Sequence, residues 1–208
     1  DIPIVRQTIQ DVRETKSGGD VTSEVRYRRA DGKIIWVSSV YQAEHDAEGQ
    51  PIRVVGSSQD ITERKTNELI QAAVSQISEG ALTAKTIDEL IKSAHKAIES
   101  LLPARNFYVA LYDAGTNLIS FPYHTDEFDN DWSPRKLGRG LTSYVIRTGK
   151  PLRITPEIFT DLEASGEIIR DGTLGVDWLG IPLRSKGVTG VIAIQTYDRS
   201  IRITEQHQ

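Results

Sequence analysis

Few residues of this chain are arranged as catalysis or metal binding would require. Its four histidines are far apart, and neither a His-x3-His nor a Glu-x-x-His spacing occurs. The absence of cysteine removes thiolate catalysis, disulfides, Cys-ligated metals and the thioether anchor of a covalent bilin. No Ser-His-acid order or flanked pair of carboxylates stands out. We therefore expect no catalytic residue, no metal and no covalent bilin. The histidines are His45, His95, His124 and His207.

Three other patterns resemble chemical sites but have simpler interpretations. Gly138-Arg139-Gly140 could bring backbone amides near an anion, but no Lys-Ser/Thr follows, and we interpret it as the turn into a helix at Leu141. Next to His95, Lys96 stands where a phospho-accepting histidine has an acidic neighbour, so an exposed helical histidine is expected. One acidic loop lacks the EF-hand register and is expected to be solvated. It contains Asp126, Glu127, Asp129 and Asp131.

Aromatic side chains near Gly-rich loops are the strongest candidates for a binding site. Such rings can enclose an organic ligand, but each also contributes about 1.5–3 kcal/mol when it is buried in a core. A ligand pocket and an ordinary packed core are therefore both open. The candidate ligand-binding residues are Phe121, Tyr123, Trp132, Tyr144 and Trp178.

The composition excludes several functional classes. With 208 residues, 38% hydrophobic and 26% charged, the chain is a soluble globular type with room for two small domains. A net charge of -4 with scattered Lys and Arg argues against nucleic acid as a partner. No apolar run approaches the roughly 18 residues of a membrane span. A reducing compartment, the cytoplasm, is expected, and the lack of an initiator Met predicts a fragment of a longer protein.

Hydrophobic periodicity predicts a helix and then three strands in the first sixty residues. The helical spacing covers 2–12, and Gly18-Gly19 is expected to end the helix through a positive φ. The period then changes to two, as in a half-solvated antiparallel strand. Asp31-Gly32 is typical of a hairpin turn. The predicted strands cover 21–28, 34–41 and 52–59.

This region resembles the C-terminal half of a PAS domain, without the first two strands and the helices that close the PAS pocket. The resemblance assigns 1–62 to a partial PAS domain. It implies that the inner face of the sheet is covered by missing chain, by a partner or by the fragment itself. The motifs that carry it are 28–33 with Trp36, Gly49-Gln50-Pro51, Gly56 and Asp60-Ile61-Thr62-Glu63-Arg64.

Residues 63–84 form a polar helical pattern with a thin apolar seam at Ile70, Ala73, Ile77 and Gly80. We interpret it as a signalling linker that pairs two chains in a parallel homodimer; a surface helix packed on one domain is the alternative. Thr62 is expected to cap this helix, and Asp60 to accept hydrogen bonds from the backbone or from Arg64. These three residues are the candidate signal relay.

The remaining residues begin with a capping box at Thr86 and Glu89 that starts a helix, and a hairpin follows at 106–123. Four further motifs are Leu137-Gly138-Arg139-Gly140-Leu141, Thr148-Gly149-Lys150-Pro151, Val176-Asp177-Trp178-Leu179-Gly180 and Gly190-Val191-Ile192-Ala193. With these motifs the region resembles a GAF domain. The resemblance assigns 85–208 to this domain and implies a closing helix that begins near Thr204 and is truncated.

Together the two resemblances imply an α+β chain with antiparallel sheets covered by helices, taken from a bacterial sensor protein. They imply a non-catalytic fragment that binds a small ligand in the GAF domain. The linker would then pass the change to an output domain of the same polypeptide, a histidine kinase or a cyclic-di-GMP enzyme. A dimerisation module without a ligand is the alternative. A GAF-type methionine sulfoxide reductase is disfavoured because that chemistry uses cysteine, which this chain lacks.

Overall fold

The computed structural model describes residues 1–15, 19–173, 175–185 and 188–203. They form two compact units, Asp1–Gln71 and Ala72–Gln208. The first unit contains a three-stranded antiparallel sheet and the second a six-stranded one, so the predicted α+β class is confirmed. Among the described residues, no helix is long and apolar enough to cross a membrane.

The first unit is a helix followed by a meander of three strands. Asp31-Gly32 forms the predicted hairpin turn, with Gly32 at φ 85° and a hydrogen bond from the Arg29 amide to the Lys33 carbonyl. The first helix ends before the predicted Gly18-Gly19, at an extended Thr15, and Gly18 lies outside the described residues. The elements are α1 (Ile2–Glu14), β1 (Asp20–Arg28), β2 (Ile34–His45) and β3 (Pro51–Asp60), with strand order β1-β2-β3.

Of the three possible covers for the sheet, the chain supplies one itself. Helix α1 packs on β1 and β2, and Val12, Val25 and Ala43 are buried. Strand β3, at the edge of the sheet, is exposed along its whole length. Gly56 of β3 needs to be glycine, since a Cβ there would lie 2.5 Å from the Tyr41 ring.

The predicted linker helix over 63–84 corresponds to α2 (Thr62–Thr83). Thr62 is its first helical residue and not the cap that precedes it. The predicted seam divides into two groups of residues. Ala73 is 3% exposed, and a Cβ on Gly80 would lie 2.4 Å from the hydroxyl oxygen of Ser93, so this side is already packed within the chain. Ile70 is largely exposed.

In the second unit, helices cover both faces of a six-stranded antiparallel sheet. The predicted Thr86 cap is confirmed, because the Thr86 hydroxyl accepts a hydrogen bond from the Glu89 amide at 3.2 Å. The return bond of the capping box involves the preceding residue instead, since the Glu89 carboxylate accepts from the Lys85 amide at 2.8 Å. The closing helix expected near Thr204 lies outside the described residues. The elements are α3 (Ile87–Glu99), β4 (Asn106–Asp113), β5 (Leu118–Thr125), β6 (Arg135–Lys136), α4 (Leu141–Thr148), β7 (Leu152–Ile154), α5 (Pro156–Ala164), β8 (Asp177–Arg184) and β9 (Val188–Thr196), with the strand order β6-β5-β4-β9-β8-β7.

Each face of this sheet has its own hydrophobic core. Phe107, Val109 and Leu179 belong to the core on the α3 side, whereas Tyr108 and Trp178 belong to the core that contains residues of α4 and α5. Strand alternation therefore decides which side chains reach the loops on the α4 side. The candidate functional site lies on this α4 side of the sheet.

The prediction that His95 is exposed is wrong. The imidazole is buried, with its ring centroid 4.2 Å from that of Phe107 in a stacked arrangement. Its Nδ1 lies 2.9 Å from the Tyr123 hydroxyl oxygen and its Nε2 lies 2.7 Å from the Ala104 carbonyl oxygen. Both ring nitrogens are thus satisfied, and the side chain is part of the α3-side core.

Candidate functional site

The second unit contains a cavity of about 400 Å³ on the α4 side of its sheet. This volume lies within the usual range of small-molecule sites, about 300–1,000 Å³. The cavity is bounded by the sheet, by the start of α4 and by the loops that follow β5 and α5. Its apolar lining consists of Tyr108, Ile119, Phe121, Phe128, Trp132, Leu141, Phe159, Ile169 and Trp178.

Three aromatic rings form one continuous wall of this cavity. The Tyr108 and Trp132 centroids are 5.1 Å apart, those of Phe121 and Trp132 are 5.4 Å apart, and those of Tyr108 and Phe121 are 6.0 Å apart. Tilted and edge-to-face pairs at these distances are favourable for aromatic rings. The wall offers a flat, apolar surface to any molecule in the cavity.

Three of the five predicted aromatic residues line this cavity, namely Phe121, Trp132 and Trp178. Tyr144 packs against the same core from α4 but does not line the cavity, and the Arg147 guanidinium carbon lies 5.9 Å from its ring centroid. Tyr123 lies on the opposite face of the sheet, against His95.

A β-bulge explains why Tyr123 is on the other face. Residues two apart on a regular strand share a face, so Phe121 and Tyr123 were expected together. The register between β4 and β5 shifts between Val109 and Leu111, which leaves Phe121 and Pro122 opposite the single residue Ala110. The extra residue reverses the alternation, and Pro122 has no amide hydrogen to donate to the neighbouring strand.

A buried polar chain lies at the floor of the cavity. The Trp178 indole N–H donates to the Tyr108 hydroxyl at 3.1 Å, and that hydroxyl lies 2.8 Å from the Thr142 hydroxyl oxygen. Burial raises the pKa of Tyr108 to about 12, so the phenol stays protonated at neutral pH. Tyr108 and Thr142 were not among the predicted residues, because a tyrosine in an apolar strand pattern looks like ordinary core. In the sequence, the Gly138-Arg139-Gly140 turn just before α4 was the signal that could have pointed to Thr142.

The rim of the cavity is polar and connects two loops. The Asp129 carboxylate accepts a hydrogen bond from the Thr173 amide at 2.9 Å. The Arg135 guanidinium lies 3.3 Å from the Asp171 carboxylate, and its central carbon is 5.0 Å from the Phe121 ring centroid. These contacts hold the loop after β5 against the loop after α5, where they close over the cavity.

The acidic loop is attached to the sheet more firmly than a solvated loop would be. The Asp126 carboxylate accepts hydrogen bonds from Gln195 at 2.5 Å and from the Tyr197 hydroxyl at 2.9 Å. Burial and the charge of Asp126 raise the pKa of Tyr197. Within the described part of the chain, no three His, Asp or Glu side chains are placed to hold a metal ion.

The relay candidates Asp60, Thr62 and Arg64 lie at the start of α2. The Asp60 carboxylate accepts hydrogen bonds from the amide of Thr62 at 2.9 Å and from its hydroxyl at 2.5 Å. The Thr62 hydroxyl oxygen in turn accepts from the Trp36 amide at 2.9 Å. The backbone option for Asp60 is therefore the one observed. Arg64 instead pairs with Glu24 at 2.6 Å and with a carboxylate one turn further along the helix.

Comparison with known families identifies the second unit. A model of the GAF domain matches residues 84–208, which is more than half of the chain. The chain belongs to the GAF domain family. A model of the PAS fold matches residues 1–58, ahead of the GAF domain, and this order supports a sensory, signal-transducing role.

Solved structures agree on the GAF fold. The chain is 16% identical to the GAF domain of a phosphoenolpyruvate-protein phosphotransferase (ptsP) from Coxiella burnetii, with a TM-score of 0.53 over 68% of this chain and 84% of the other. The corresponding Acinetobacter domain has 13% identity, a TM-score of 0.51 and coverages of 69% and 83%. Free methionine-R-sulfoxide reductase from Neisseria meningitidis has 13% identity, a TM-score of 0.51 and coverages of 69% and 80%. No curated protein matches the chain.

Proposed function

We propose that this GAF domain binds a small organic molecule in the cavity beneath Trp132 and releases it unchanged. The observation that carries the proposal is a cavity of about 400 Å³ with a wall of three aromatic rings. A dimerisation module without a ligand would have no use for such a space. Fully packed cores contain few voids larger than a water molecule, and each void is destabilising.

In this proposal the two domains are the sensory input module of a cytoplasmic bacterial protein. Ligand binding shifts an equilibrium between two conformations of the domain. Helix α2 relays this change to an output domain of the same polypeptide, a histidine kinase or a cyclic-di-GMP enzyme. A ligand shifts this equilibrium by its differential affinity for the two states, and about 1–3 kcal/mol of coupling is typical. Micromolar binding is sufficient for that purpose.

The relay acts in a homodimer in which two copies of α2 run parallel. Since Ala73 and Gly80 are packed within the chain, the pairing surface is displaced from the seam inferred from sequence. Ile70, Val74, Ile77 and Ala81 follow each other at spacings of four, three and four residues, which is the period of a coiled coil. Ile70 and Val74 are 44% and 57% exposed and are free to pair.

Mass spectrometry of the natively purified protein tests the binding function. We expect the wild type to retain a small molecule and the variant Trp132→Ala to lose it, because that ring forms the central part of the wall. Tyr144→Ala is the matched control, since this aromatic residue packs on the same core outside the cavity. Equal retention by the two variants would place the molecule elsewhere, and bare protein in every sample would contradict the proposal.

A further inference from the structure

The polar side chains at the cavity floor have one more hydrogen to donate than the hydrogen bonds between them use. Trp178, Tyr108 and Thr142 contribute one polar hydrogen each, and an indole N–H can only donate. The first hydrogen is used in the bond from Trp178 to Tyr108, and a second is used in the bond between the two hydroxyls. Whichever hydroxyl donates in that second bond, the other keeps its hydrogen.

Either hydroxyl that keeps this hydrogen belongs to a residue at the cavity surface. Tyr108 and Thr142 both line the cavity, and Tyr108 is only 7% exposed. Among the described residues, neither hydroxyl has a further hydrogen-bond acceptor. A buried donor without an acceptor is unfavourable, so a ligand that supplies an acceptor atom here gains affinity.

The start of α4 presents more donors at the same place. Tyr144 donates the first hydrogen bond of this helix to the Gly140 carbonyl, so the amides of Leu141, Thr142 and Ser143 precede the regular helical bonds. The cap residue Gly140 has no side chain to accept from them. Gly140, Leu141, Thr142 and Ser143 line the cavity, and the positive end of the helix dipole favours an oxygen atom there.

The fixed charges oppose an anionic ligand at this position. Burial is the main cause that raises the pKa of Tyr108 to about 12, and the charges of Asp129 and Asp126 act in the same direction. Both arginines of the lining have acidic partners, Arg135 with Asp171 at 3.3 Å and Arg170 with Glu163 at 3.8 Å. The charged residues of the lining are Asp129, Asp131, Asp171, Arg135 and Arg170.

From the donors and the charges we infer that the ligand is an uncharged, planar carbonyl compound such as an amide or a lactam. Its carbonyl oxygen accepts from the free hydroxyl of the Tyr108 and Thr142 pair, and its flat body lies against Phe121 and Trp132. This inference rests on the proposed binding function and specifies the chemistry of that same cavity.

Three probes of one shape and different charge test the inference on the whole chain. Benzamide is neutral, benzoate is an anion and benzylamine is a cation without a carbonyl oxygen. Binding is followed by the fluorescence of Trp132 and Trp178 in a Trp36→Phe background. We expect benzamide to bind at least about tenfold more tightly than benzoate or benzylamine, which corresponds to about 1.4 kcal/mol for one good hydrogen bond.

Variants of the two hydroxyls test the hydrogen count itself. The replacement Thr142→Val alone leaves the Tyr108 hydrogen free, so benzamide affinity should fall by less than about threefold. In a Trp178→Phe background, which removes the indole donor, the double variant Tyr108→Phe with Thr142→Val lacks all three polar hydrogens and should bind benzamide about tenfold more weakly than Trp178→Phe alone. Thr142→Ser keeps the hydroxyl and should bind as the wild type does, and thermal unfolding of each variant verifies that it is folded.

The outcomes separate this inference from the function on which it rests. If benzoate or benzylamine binds more tightly than benzamide and the Trp132→Ala variant loses that binding, the cavity is a ligand site but the inferred chemistry is wrong. Unchanged benzamide binding by the double variant overturns the hydrogen count. Failure of all three probes overturns the inference, while the retained molecule sought by mass spectrometry still decides the binding function.

Discussion

The Asp60 carboxylate connects the end of β3 with the first turn of α2. Two hydrogen bonds from Thr62 stabilise its charged form. The hydroxyl of Thr62 is the main cause that lowers the pKa of Asp60 below its ordinary value of 3.8, and the amide of Thr62 is the second cause. A carboxyl group with a lowered pKa stabilises the folded state above its ordinary pKa, and this contribution is lost as the pH falls through the lowered value.

We therefore predict that the Asp60 carboxyl, followed by NMR, titrates below 3.8 in the wild type and moves back toward 3.8 in Thr62→Val. Thr66→Val is the matched control, because the Thr66 hydroxyl donates to the Thr62 carbonyl and not to Asp60. The destabilisation caused by Asp60→Asn should be present at pH 7 and should disappear below the lowered pKa. A titration that is the same in all three proteins would mean that the hydroxyl does not hold Asp60.

Single residues also show where sequence reasoning was limited. Phe121, Trp132 and Trp178 line the cavity, and aromatic residues near Gly-rich loops were a visible signal for this position; their binding of a ligand stays a prediction. Tyr123 does not, because the bulge opposite Ala110 depends on how two strands pair and not on the pattern within one strand. The buried position of His95 likewise depends on Phe107 and Tyr123, which are distant in sequence.

Among the secondary-structure elements, α2 carries the next test. If the homodimer forms along Ile70, Val74, Ile77 and Ala81, a charge at the centre of that stripe should weaken it. We predict that Val74→Lys raises the dimer dissociation constant by at least about tenfold, since an unpaired lysine in an apolar seam is unfavourable by more than about 1 kcal/mol. Analytical ultracentrifugation at a series of concentrations measures this change.

Leu82→Lys is the control for that experiment. Leu82 is 88% exposed on the same helix, but it lies outside the stripe. This substitution should leave the dissociation constant unchanged. A wild type that is monomeric at all concentrations, or equal effects of the two lysines, would show that α2 is a surface helix and not a dimer contact.

The elements themselves were largely predictable. Period-two alternation and the Asp31-Gly32 turn placed the meander of the first unit, and the capping box at Thr86 placed α3. The sequence did not determine which side of α2 is packed within the chain. That packing depends on the close contact of Gly80 with Ser93, and no periodicity in one helix can reveal its neighbour.

For the whole molecule, the central claim is that the GAF cavity takes up a small organic ligand. The three tryptophans make this claim directly measurable, since Trp132 and Trp178 line the cavity and Trp36 belongs to the first unit. Their indole N–H signals can be followed by protein NMR while mixtures of small neutral organic compounds are added. We predict that at least one compound shifts the Trp132 and Trp178 signals in a saturable way and leaves the Trp36 signal in place. If no compound moves the two cavity signals, or if all three signals move together, the claim is contradicted.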